Sequence, residues 1–113
     1  MQYPREVSIA IYSCGPAGKI ESYNEAARRL WDGIPGDTPW CGPVRFMKED
    51  GSPVEIDDLP PSRAWRTQST APAQSLVVET SGGTRFFMNV HAELRCDSEG
   101  NPAGVTVLMT DSR

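Results

Sequence analysis

The sequence predicts an α+β domain, a five-stranded antiparallel sheet with short helices covering one face. Three observations carry this expectation. Runs with the two-residue period of strands stand at both ends of the chain, and clusters of Gly, Pro, Ser and Asp punctuate them. Between them lie two short segments with the chemistry of helix starts. The 113 residues suffice for one compact core and not for two, so residues 1–113 read as a single domain.

From Val7, the order Val7, Ile9, Ile11 against Ser8, Ala10, Tyr12 predicts a half-buried strand, broken at Gly15-Pro16-Ala17-Gly18. Lys19 to Tyr23 is a short second strand. Asn24 then suits the cap of a helix in which Ala26 stacks with Leu30 and Ala27 with Trp31, leaving Arg28 and Arg29 on the outer side. Gly33, Pro35, Gly36 and Pro39 end it. The stretch to Gly51 reads as irregular, anchored by Trp40 and Phe46.

Asp57-Asp58-Leu59-Pro60-Pro61 predicts the start of a second helix carrying Ala64 and Trp65, because acidic side chains suit a first turn and Pro is tolerated there. Three hairpin-linked strands follow. Gln74 to Thr80 is β-branched and apolar, Ser81-Gly82-Gly83 supplies a turn, and Thr84 to Arg95 alternates. In that run Phe86, Met88, Val90, Ala92 and Leu94 share one face, and Phe87, Asn89, His91, Glu93 and Arg95 the other. Asp97 to Pro102 is a turn, and Gly104 to Thr110 the last strand.

Composition narrows the function. Eleven Lys and Arg against 15 Asp and Glu give a net charge of −4, without the positive field that draws nucleic acid. Nothing near the N-terminus approaches the roughly 20 apolar residues of a membrane span. Cys14, Cys41 and Cys96 are odd in number, widely spaced and without a Cys-x-x-Cys, which points to free thiols in a reducing cytoplasm rather than to disulfides or zinc. No Gly-x-Ser-x-Gly, Gly-x-Gly-x-x-Gly or Walker loop occurs, and Asp57 beside Asp58 suits a helix start better than a catalytic pair. Tyr12 and Phe87 fall on the sheet face expected to meet water, as does His91, the one histidine. Exposed aromatics of that kind mark a partner surface.

Gly18 to Ala27, ending Tyr23-Asn24-Glu25-Ala26-Ala27, then Asp50-Gly51-Ser52-Pro53-Val54 with Leu59-Pro60, the Ser81-Gly82-Gly83-Thr84-Arg85 turn and Asp97 to Gly100 with the closing Asp111 together resemble the PAS family of sensory domains. The resemblance runs from about Val7 to Asp111. It departs at Glu93, where Pro is common, and at Ser112-Arg113. It implies a cytoplasmic sensor or interaction module of signal transduction, not itself an enzyme, acting as a homodimer and attached to or excised from a protein with an effector such as a histidine kinase.

In ligand-binding relatives the occupant lies between helices and sheet, which here implies Trp40, Phe46, Leu59, Trp65, Gln74, Leu76, Val78, Met88, Val90 and Ala92 around a small apolar ligand. The same residues also read as a filled core, because a domain this small needs nearly all its apolar side chains for burial. No cofactor is expected: residues 57–70 lack the histidine of haem-binding relatives, and Pro43 and Val44 after Cys41-Gly42 break the flavin-adduct signature. Two readings stay beside the sensor: a ligand-free dimerisation module, and a small cone-shaped α+β enzyme with His91 or Glu93 in a cavity.

Overall fold

The computed structural model describes residues 9–31, 33 and 36–112. Val7, Ser8, Pro35 and Arg113, which the sequence reading invokes, lie outside them. Strands β1 (Ala10–Cys14) and β2 (Ile20–Tyr23) precede helix α1 (Glu25–Trp31) and strand β3 (Arg45–Met47). A 3-10 turn (Ile56–Asp58) leads into helix α2 (Pro60–Thr67), and strands β4 (Ala71–Glu79), β5 (Arg85–Cys96) and β6 (Pro102–Asp111) complete the chain. All pair antiparallel in one sheet of order β2-β1-β6-β5-β4-β3.

Among the described residues six strands therefore replace the expected five. The addition, β3, pairs Arg45, Phe46 and Met47 with Glu79, Val78 and Val77. Its sequence carries no alternation because Phe46 and Met47 are both buried, on opposite faces, so tertiary pairing rather than local pattern makes the strand.

Local chemistry explains the rest. The Asn24 carboxamide accepts from the Ala27 N–H at 2.9 Å and the Ile11 N–H at 3.1 Å, and donates to the Ile9 carbonyl at 2.7 Å. One side chain thus caps α1 and ties it to β1. In α2 two prolines occupy the first turn, where their missing N–H groups cost nothing, and Gln68 closes the helix in the left-handed conformation. Asp57 and Asp58 sit in the preceding 3-10 turn, one step earlier than predicted. Asp97 shapes the β5–β6 turn by accepting from the Glu99 and Asn101 N–H groups at 2.9 and 3.0 Å. At Gly104 (φ 156°) a side chain would strike the Cys14 carbonyl, so only glycine lets β1 lie this close to β6.

Helix α1 packs on β1, and α2 on β4, β5 and β6. Between helices and sheet lies one core joining Tyr12, Cys14, Leu30, Trp31, Trp40, Phe46, Leu59, Leu76, Val78, Val90, Val105, Val107 and Met109. The phase of β1 is the reverse of the predicted one. Ala10, Tyr12 and Cys14 point into the core, while Ile9 and Ile11 are exposed. Tyr12 is decisive: its ring packs edge-on to Trp31 at 5.1 Å, and its hydroxyl donates to the Trp40 carbonyl at 2.7 Å. A large aromatic whose polar end is satisfied buries more surface than an isoleucine, so the aromatic goes in.

Candidate functional site

Ladder register places the outer-face residues in rows that cross the sheet. Glu93, Thr106 and Ser13 form one; His91, Leu108 and Ile11 the next; Ser75, Asn89 and Thr110 a third. Met47, Val77 and Phe87 form a fourth, and Arg45, Glu79 and Arg85 a fifth. Polar side chains on this face are bonded to one another, within rows and between them. Ser75 donates to the Asn89 carboxamide at 2.9 Å, the His91 Nε2 lies 3.2 Å from the Glu93 carboxylate, and Glu79 takes both Arg45 and Arg85, at 3.3 and 3.0 Å. The two apolar rows are open at Ile11 (37% exposed) and Phe87 (36%), and Ile9 (38%) adds to them. Phe87 and His91 stand on the outer face as their alternation predicts. Tyr12 does not: it is buried beneath α1, and Ile9, Ile11 and Leu108 take the place expected of it.

The ten residues proposed to surround a ligand divide differently. Phe46, Leu59, Leu76, Val78, Met88, Val90, Ala92 and Trp40 belong to the packed core, with Trp65 partly buried against it. Gln74, half-buried, lies opposite Val90 beside the irregularity that Pro72 makes in β4. Open space occurs at the two ends of this layer. One cleft of about 320 Å³ runs beside β3, lined by Cys41, Val44, Phe46, Val54, Ile56 and Leu59 among others. The other, of about 260 Å³, lies between α1 and the starts of β1 and β5, lined by Ala10, Ala26, Arg29, Leu30, Phe86, Phe87, Met88 and Asp111. Sequence reasoning missed this second cleft because its hollow comes from small side chains, Ala10 and Ala26, that meet only in the fold.

Burial sets the thiol chemistry. It pushes Cys14 up from 9.0 to about 12 and Cys41 up to about 11. Cys41 also leans on the Gly42 carbonyl at 3.4 Å. Both are thus protonated at neutral pH and poor nucleophiles, whereas Cys96 is exposed. Burial likewise raises the Tyr12 phenol well above its ordinary value. The inward row of β5 offers Phe86, Met88, Val90, Ala92 and Leu94, with no acid or base, and Glu93 is exposed outside. Among the described residues no three His, Cys, Asp or Glu side chains converge as a metal site requires.

Neither a scan against protein-family models nor a search of curated proteins finds a match. Solved structures do match. The light-state dimer of the fungal blue-light photoreceptor Vivid aligns with a TM-score of 0.68 at 14% identity, over 98% of this chain and 82% of its own. A PAS domain of a Colwellia psychrerythraea protein aligns with a TM-score of 0.60 at 13% identity, over 93% of this chain and 86% of its own. At such identities the likeness establishes the fold: an antiparallel sheet with two helices, arranged as in PAS domains.

Proposed function

We propose that this PAS-fold chain is a sensory and interaction module of signal transduction that works as a homodimer through the outer face of its sheet. The observation that carries the proposal is the pair of exposed isoleucines, Ile9 and Ile11, with half-buried Leu108 beside Ile11, on the face opposite the helices and next to bonded polar side chains. An interface of this kind combines apolar anchors with satisfied polar groups, and a patch of this kind rarely stays in water without a partner. The fold supports the same reading, since the Vivid structure it resembles is a dimer of a photoreceptor.

The packed centre of the helix–sheet layer directs any small apolar ligand to its ends, and the cleft beside β3 contains two of the residues proposed for that role, Phe46 and Leu59. A ligand there would press on β3 and the segment leading to α2, biasing the sheet between two arrangements. The three free thiols support a reducing cytoplasm as the working compartment, with catalysis left to an attached effector such as a histidine kinase.

Sedimentation velocity of the purified chain and of Ile11→Glu tests the dimer. The expected result is a concentration-dependent dimer for the native sequence and a monomer for the variant, both fully folded. A native chain that stays monomeric to high micromolar concentration removes the proposal.

A further inference from the structure

The outer face of the sheet is charged at both ends, and the two ends differ in sign. At one end Arg45, Glu79 and Arg85 form a row across β3, β4 and β5 in which a single carboxylate serves two guanidiniums. The row keeps one positive charge in surplus. Both arginines are exposed, and a guanidinium has five N–H donors, more than its share of Glu79 occupies.

At the other end the exposed Glu93 carboxylate lies in a row with two hydroxyls, Thr106 and Ser13, and has the His91 imidazole 3.2 Å away. Beyond it Arg95 is matched by Glu21 at 3.7 Å, and Asp97 and Glu99 follow in the β5–β6 turn. That end is negative. Among the described residues, the rows between the two ends hold no carboxylate and no guanidinium.

A homodimer packed face to face sets this surface against itself, so the direction of the strands decides which charges meet. With a twofold axis along the strands, every row covers its own counterpart: carboxylate faces carboxylate, and arginine faces arginine. With the axis along the row of Ser75, Asn89 and Thr110, the strands run in opposite directions and the Glu93 row covers the arginine row. Register fits the second arrangement. Glu93 and Arg85 lie on one strand at equal distances from Asn89, about 14 Å to either side at the usual rise of a strand. Arginine and glutamate side chains together span the roughly 10 Å between packed sheets.

From this we infer that two copies of this chain pair with antiparallel strands, Glu93 of each set against the arginine row, Arg85 and Arg45, of the other. The pairing presupposes the outer-face dimer proposed above and assigns it a direction and its charged anchors. Exposed ion pairs attract weakly, whereas like charges pressed together cost several times more, so charge selects the direction while Ile9, Ile11 and Leu108 supply apolar contact.

Cys96 supplies the probe, because it is exposed at the Glu93 end of β5 while Cys14 and Cys41 are buried. Protein carrying a nitroxide on Cys96 is mixed with isotope-labelled protein without the nitroxide, at a concentration where sedimentation shows a dimer. Broadening of amide signals between copies is expected at Gly83, Thr84 and Arg85. Broadening at Glu93, Leu94 and Arg95 instead, or at neither set, would overturn the antiparallel pairing and leave the dimer standing. Reversing charge gives a second reading. Glu93→Lys should weaken the dimer by about tenfold, Arg85→Glu should do the same, and the two combined should restore it. Should Arg85→Glu unfold, because it sets two carboxylates across the β4–β5 ladder, Glu93→Lys alone decides. Undiminished association of that variant would overturn the pairing. A native chain that is monomeric throughout removes the dimer and the pairing together.

Discussion

The two faces of the sheet are built from similar apolar side chains and end in opposite conditions. On the helix side, Tyr12, Val90, Val107 and Met109 are sealed beneath α1 and α2. On the other side, Ile9 and Ile11 are exposed beside bonded polar side chains, and burial returns only at Met47 and Val77 towards the β3 edge. The difference teaches that hydrophobicity alone does not choose the core face of a strand. In β1 both faces are apolar, and the choice falls to the residue whose burial satisfies most: Tyr12, with Trp31 against its ring and the Trp40 carbonyl on its hydroxyl.

Substitutions on the two faces of β1 sharpen that contrast. Tyr12→Ala empties the largest of the fully buried side chains and should cost about 3–5 kcal/mol in denaturant unfolding, enough to unfold many domains of this size. Tyr12→Phe keeps the ring and abandons the Trp40 carbonyl, for an expected loss of about 1–2 kcal/mol. Ile11→Ser, one residue away on the outer face, should change monomer stability by no more than about 0.5 kcal/mol while weakening self-association. Equal stability losses for Tyr12→Ala and Ile11→Ser would break the comparison.

A smaller effect comes from the thiols. Cys14 and Cys41 are raised in the folded state, from 9.0 to about 12 and about 11, so the unfolded chain loses these protons first as pH rises. The stability they contribute is complete below pH 9.0 and drains away between there and about 12. Denaturant midpoints should fall over that range, and fall less in Cys14→Ala. At neutral pH, iodoacetamide should label Cys96 quickly and spare the other two until unfolding.

Much of the fold was legible because its signals are local. The alternation in β5 gave both its boundaries within a residue and its phase, since Asn89, His91, Glu93 and Arg95 make one side plainly polar. Asn24 announced α1, and the paired prolines announced α2, through backbone chemistry that needs no tertiary context. What stayed hidden depends on partners distant in sequence. β3 exists through its pairing with β4, and Tyr12 is turned inward by Trp31 and Trp40. The α1 cleft arises where two alanines meet across separate elements, and no periodicity records an empty space.

Intermolecular nuclear Overhauser effects in a sample mixing two isotope labels test the central claim most directly, because they name the atoms that meet across a dimer. The account predicts contacts between chains from the methyl groups of Ile9, Ile11 and Leu108, with none from Val90, Val107 or Leu76. Contacts confined to α1, α2 or the clefts, or none in a sample shown to be dimeric, would contradict it.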